Sequence, residues 1–462
     1  MTICPTASQK TACDLPAAND GHPSIVAYCQ QCATVAFRCP EGHWNRAFAR
    51  FCTQCGQKLK KPAAWEMAHA NPQRTATLPE GEPSDARLSD KSGFFSGAVE
   101  MPTIETTEGL PGLLAVDGLI VVPNPETPSL DAYTIAKHPE QPHLSRQWRI
   151  PFDAPLTHGC TPIYHGLHLY YVVAGGVHQT SVLNGKSEPV EINGMDAAQI
   201  EPLPECAPLK CNVAGRQTMI AGLKQGLLLL DLDSRDGDYL RHDFFNAENG
   251  PMSPALCGVH AIFTSKRGHL FSLDIGNRRY QAKSFRAISF SAPVSLGGSV
   301  YFEALNARSG QRSLARYEPQ TKRLSPIATL DEVSNIAQHL KLFSHPPLTD
   351  GQRLFMSARG GQTLYIYSSD IDGDAVFSAE RSLPQGNVQS RFVPHRSIAV
   401  DNRIYSAHSS GLTIQKLEPT YAVSHQSLAM GRPDNPVPIA APIQYGDKLF
   451  ILCKDRGVCL NL

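Results

Sequence analysis

Long apolar runs are missing from this sequence: no segment supplies the ~20 consecutive apolar residues that a membrane-spanning helix requires. The opening residues, MTICPTASQKTACDLPAAND, lack the basic start and continuous apolar core of a secretory signal. A cytoplasmic protein with no membrane contact is expected. Net charge is absent too: 42 Lys and Arg balance 42 Asp and Glu, so no overall field draws the chain to nucleic acid, an acidic substrate or a lipid surface. Helix-building runs of Ala, Glu, Lys and Leu are scarce. Gly and Pro, at 35 and 36, are plentiful instead, which predicts a mostly β chain of short strands and turns.

Cysteine is abundant and unevenly placed. Of 13 cysteines, five crowd between Cys29 and Cys55. Four of these form Cys29-x2-Cys32 and Cys52-x2-Cys55, separated by nineteen residues, an interval at which two tight turns converge four thiolates on one tetrahedral zinc ion. Gly56 gives the second turn its freedom in backbone angle. Four protein ligands leave no position for water, so the expected zinc is structural, and no organic cofactor is expected. Cys39 and His43 are the alternates, either replacing the first pair or orienting a thiolate from outside the coordination sphere. Cys160, Cys206, Cys211, Cys257, Cys453 and Cys459 are scattered, as small buried apolar groups would be.

Residues 1–21 read as a disordered tail, 22–61 as the zinc ribbon and 62–93 as a flexible linker mixing Pro, Ala, Gly and charge. From 94 to 462 short apolar runs alternate with turns carrying Gly, Asp or Asn, and they repeat. Ile120, Leu169, Met219, Ile262, Val300, Leu354, Ile404 and Leu449 occupy one strand position, at successive spacings of 49, 50, 43, 38, 54, 50 and 45 residues. A period of ~40–50 residues with several strands per unit predicts a β-propeller, whose four-stranded blades bury their faces by stacking around a channel. Eight blades are favoured, with seven and one irregular unit as the alternative. Tyr301, Phe302, Phe355, Tyr405 and Phe450 are expected to pack between blades. The last copy ends after its second strand, so FFSGAVEMPTIE, before the first copy, is expected to close the ring.

Asp231-Leu-Asp233 with Asp236 and Asp238, and Asp370-Ile-Asp372-Gly-Asp374, look like openings of calcium loops. Neither has the bidentate Glu at the required spacing, and both follow a strand, where Asp and Gly make turns. His165 and His168, like His395 and His408, flank strand starts without a carboxylate or cysteine in phase beside them.

CPEGHWNRAFARFCTQCGQKL resembles a family of small bacterial zinc ribbons through Gly42, His43, Asn45, Arg50, Phe51, Cys52, Cys55 and Gly56. Common members carry a second Cys before the Gly-His, which this chain lacks. The glycine-rich hairpins and strands such as LLLLDLDS and LFSLDIG resemble the pyrroloquinoline-quinone-like propeller superfamily over roughly 105–462. Its enzymes carry a recurrent Trp that locks neighbouring blades, for which Trp148 is the candidate here. Many relatives serve as scaffolds.

A non-enzymatic protein-interaction scaffold, or a regulatory subunit of a multi-protein bacterial assembly, is therefore expected, with protein partners. Between residues 22 and 61 six basic residues (Arg38, Arg46, Arg50, Lys58, Lys60, Lys61) stand against Glu41 alone, so nucleic-acid binding through a ribbon of about +5 is one alternative. An enzyme using the central channel is the other.

Overall fold

The computed structural model describes residues 26–29, 34–38, 41, 43–46, 52, 54–57 and 110–461. Within the last range the connecting segments 125–126, 137–142, 193–194, 214, 351–352, 359–362, 370–374, 383–396, 401–402, 409–410, 417–425, 429–439, 446–447 and 454–456 lie outside the description. The tail and linker expected at 1–21 and 62–93, and the closing strand expected at 94–105, also lie outside it.

Near the N-terminus, β1 (Val26–Cys29), β2 (Thr34–Arg38) and β3 (Trp44–Arg46) form an antiparallel sheet in the order β1-β2-β3. From Leu114 the chain is a succession of antiparallel meanders. The first comprises β4 (Leu114–Val116), β5 (Leu119–Asn124), β6 (Ser129–Ala136) and β7 (His143–Pro151), paired in that order. Seven more follow, spanning 163–190, 209–241, 255–284, 288–332, 348–382, 397–428 and 443–461. The innermost strand of the last, Ile443–Tyr445, lies against β4, so the eighth sheet meets the first. This is a β-propeller, with eight blades among the described residues.

Two blades depart from four strands. Blade 5 has five, because Ile288–Phe290 and Val294–Leu296 both pair with its long second strand, Ser299–Asn306. Blade 8 has three among the described residues.

Alternation along each strand sends successive side chains to opposite neighbours. In blade 5, Tyr301 packs with Leu354, Met356 and Tyr367 of blade 6, whereas Phe302 packs with Cys257, Ile262 and Leu270 of blade 4. Tyr170 and Tyr171 divide in the same way between blades 3 and 1. Phe355, Tyr405 and Phe450 are buried as well, as the repeat predicts. Each such ring contributes roughly 1.5–3 kcal/mol through removal from water. Leu227, Leu228, Leu229 and Leu230 are apolar without alternation because both faces of the blade are covered.

Trp148 locks blade 1 to blade 2. It lies on β7 opposite Ala132, and its indole Nε1 donates to Val182 O at 3.0 Å. The ring rests on Gly185, whose φ is +71° and whose added Cβ would come within 2.7 Å of Trp148 Cβ and Cγ. Only glycine satisfies both the backbone angle and the contact. Trp148→Phe keeps most of the packing but removes the donor, and it should lower stability by about 1–3 kcal/mol, read as a lower urea midpoint with unchanged slope.

Candidate metal centre and interblade ion pairs

The segment around Cys52 folds as a knuckle. Cys52 N donates to Gln57 O at 2.7 Å and Gly56 N to Cys52 O at 2.9 Å, which requires Gly56 at φ +73°. The turn leaves two amides facing the sulfur: Gln54 N and Cys55 N lie 3.4 and 3.5 Å from Cys52 Sγ. Amides so placed stabilise a thiolate. His43, just before β3, brings Nδ1 to 3.7 Å from Cys52 Sγ. The ligand atoms of His43, Cys52 and Cys55 all lie within 4.8 Å of one another.

Tetrahedral zinc bonded at 2.0–2.3 Å needs its ligands about 3.5–3.8 Å apart, so these three side chains fit a metal with small movements. Cys52 is 3% exposed while Cys55 is exposed, leaving the site on the module's surface. Of the sequence-expected ligands, the structure brings together Cys52, Cys55 and the alternate His43. Cys29 ends β1, and Cys32 and Cys39 lie outside the described residues.

Five cysteines of the propeller are packing groups. Cys160, Cys206, Cys211, Cys257 and Cys453 are buried and unbridged. Burial pushes the Cys211 thiol up to about 12 and raises Cys160 and Cys257, so none is a ready nucleophile. Asp231 is a turn residue, as expected: its Oδ1 accepts from Asp233 N at 2.9 Å and Ser234 N at 3.0 Å. Asp370, Asp372 and Asp374 lie outside the described residues. His165 does have a carboxylate neighbour, since its Nε2 lies 2.8 Å from Asp233 Oδ1. Asp233 comes from the next blade, 68 residues on, where no local spacing rule would find it.

Two buried acid–base groups also escape a sequence reading. In blade 1, Asp131 accepts from both Arg149 Nε at 2.8 Å and Nη2 at 2.7 Å, and from Ser129 Oγ and Tyr133 Oη. Burial first, then the Asp131 charge, pushes the Tyr133 phenol up to about 12. The second group spans blades 5 and 6. Arg312, 4% exposed, donates from Nε and Nη2 to the two oxygens of Glu303 at 2.8 and 2.9 Å. It also reaches Asp331 Oδ1 at 2.7 Å and, in blade 6, Ser357 O at 2.9 Å. His339, on the short helix α1 (Ile336–Leu340), meets Glu303 Oε1 through Nε2. Burial alone would raise the Glu303 carboxyl, but the Arg312 charge and the bonds from His339 and Arg312 prevail and hold it at about 2. The carboxylate is thus fixed in the ionised state and orients Arg312, whose bond to Ser357 O clamps blade 5 to blade 6.

The chain matches no protein-family model and no curated protein sequence. Among solved structures it is similar to BamB from Moraxella catarrhalis, at TM-score 0.46 and 12% identity over 79% of this chain and 97% of that one. The computationally designed Ika8 protein aligns at TM-score 0.48 and 11% identity, covering 79% of this chain and 99% of its own. A europium-containing methanol dehydrogenase aligns at 0.48 and 10%, covering 85% and 89%. The order of the sheets carries the fold assignment by itself.

Proposed function

We propose that this chain is a non-enzymatic protein-interaction scaffold, acting as a regulatory or structural subunit of a multi-protein assembly. A zinc-held N-terminal module serves as a second contact beside the propeller. The observation that carries this reading is the use made of an acid set inside the propeller, Glu303. Glu303 is held ionised at about 2 by Arg312 and His339, and the Arg312 it orients reaches Ser357 O of the next blade. A general acid or base near neutral pH needs the opposite tuning. The module's zinc is structural, held by Cys52 and Cys55 together with an upstream pair. Unbridged thiols at all seven cysteines with described side chains favour a reducing, cytoplasmic compartment.

Co-purification from the native host, followed by reconstitution of the full chain with each purified candidate, tests the proposal. A saturable complex of fixed stoichiometry with one purified protein supports it. Binding to single- or double-stranded nucleic acid that weakens steeply between two salt concentrations, without any reconstituted protein complex, overturns it in favour of the basic ribbon acting on nucleic acid.

A further inference from the structure

The described blades end outward in edge strands, and these edges are guarded in different ways. Alternate residues of such a strand turn their N–H and C=O away from the sheet, where another chain can pair with them. In blade 1 the edge strand β7 is bulged and ends at Pro151, in blade 2 it carries Pro189, and in blade 5 it carries Pro326 and two register shifts. The edge of blade 6 has a register shift, and that of blade 7 is three residues long. Blade 3 ends in Gly237–Arg241, which carries Asp238. Among the described edges, Arg279–Ser284 of blade 4 alone runs six residues in unbroken register with no proline and no acid.

The charge around this strand has one sign. Residues 275–302 hold Arg278, Arg279, Lys283 and Arg286 and no Asp or Glu. Lys322 joins them from blade 5, where its carbonyl accepts from Lys283 Nζ at 2.6 Å. Arg278 is paired with Asp238 of blade 3, but no described acid forms an ion pair with Arg279, Lys283, Arg286 or Lys322. Across from Arg279, Asp274 is held by Asn277, whose N and Nδ2 donate to it at 3.0 and 2.9 Å. Alternation puts Arg279, Gln281 and Lys283 on one face of the strand and Tyr280 on the other. Tyr280 is 48% exposed although its ring stacks on Phe271 at 5.4 Å and meets His242 edge-on at 4.8 Å. An aromatic ring fixed in this way loses little freedom when a partner covers it.

We propose that Arg279–Ser284 is a docking edge for an extended acidic segment of a partner protein, which adds a fifth strand to blade 4. The inference rests on the scaffold reading above and supplies its surface and the chemistry of its partner. Backbone bonds along the open edge give the affinity. Carboxylates on one face of the added strand meet Arg279 and Lys283, and an apolar side chain on its other face packs beside Tyr280. The same positive charge repels a second copy of this edge, so self-pairing is disfavoured. A peptide fits better than nucleic acid, because a phosphate backbone has no donors to match the strand's outward carbonyls.

Fluorescence anisotropy of the full chain with a labelled, capped peptide of alternating glutamate and valine tests it. Saturable binding is expected, weakened about tenfold or more by the Arg279→Glu/Lys283→Glu pair. Neither side chain is buried, so the pair should leave the urea midpoint unchanged. The same peptide methylated at every nitrogen keeps its charge and loses its backbone donors, and it should also bind about tenfold more weakly or worse. Absence of binding to the wild-type chain overturns the proposal. Equal binding by the charge-reversed pair overturns it by placing the contact elsewhere, and equal binding of the methylated peptide reduces the edge to a patch for any polyanion. A reconstituted partner complex left intact by the charge-reversed pair overturns this edge while the scaffold reading stands, whereas nucleic-acid binding without any protein complex removes both.

Discussion

Replacing Arg312 by Ala is expected to cost the propeller about 3–5 kcal/mol, because it removes the buried guanidinium that balances the charges of Glu303 and Asp331, two carboxylates largely shielded from water. Truncation also removes the bond from Arg312 Nη2 to Ser357 O, one of the polar links between blades 5 and 6. The loss should appear as a lower urea midpoint and as faster amide exchange in Ser299–Asn306 and Arg353–Ala358 before the rest of the ring. The Glu303→Met/Arg312→Met pair should be less destabilised than the sum of its single replacements, since the charges are removed together. Equal or additive losses would show that the two side chains do not act as a unit.

The same carboxylate sets a pH dependence. Its folded pKa of about 2 lies below the ordinary 4.5. The unfolded chain therefore takes up a proton first as pH falls. Stability from this group is complete above 4.5 and disappears as pH drops toward 2, an effect of about 3 kcal/mol at 1.36 kcal/mol per pKa unit. Glu303→Gln should flatten this acid limb between pH 4.5 and 2, measured as the change of midpoint with pH.

The propeller was legible because its signal is local and repeated: an apolar strand, a turn with Gly or Asp, another apolar strand. Each of the eight aligned positions from Ile120 to Leu449 falls in its own sheet. Even the uneven spacing has a structural cause. The interval of 54 residues from Val300 to Leu354 contains α1 and the turn after it, whose Phe343 is buried with Met252, Ala292 and Leu305. What the sequence hides is which charges meet once the chain has folded. Glu303 and His339 are 36 residues apart, and the insertion joins them. One hint was present: Glu303 shares a strand face with Tyr301 and Leu305, and a carboxylate among buried apolar neighbours demands a partner. At the candidate metal module, spacing singles out Cys52 and Cys55 as a pair, and the structure sets His43 beside them. The approach of His43 to Cys52 depends on how β3 pairs with β2, and spacing carries no information on strand pairing.

Cys52→Ser is expected to abolish tight zinc binding and the folding of residues 22–61 while leaving the propeller's melting transition within a degree or two of wild type. The module spans about forty residues, a size at which apolar burial alone rarely offsets chain entropy. Structural zinc contributes an apparent 10–16 kcal/mol in small domains of this kind, so losing the ligand removes the main source of their order. Cys52 is also the hub of its turn, with two amides on its sulfur and two backbone bonds through its N and O. Serine keeps the two backbone bonds but gives up the thiolate. The propeller's order has a separate source, in the ring of interblade contacts from Trp148 to Tyr367 and in the Arg312 clamp. Metal analysis, limited proteolysis of residues 22–61 and a thermal scan of the full chain read the three quantities apart. If zinc loss instead removed the cooperative transition of the whole chain, the module would be an integral part of the propeller's fold, and the picture of two independently stabilised units would fall.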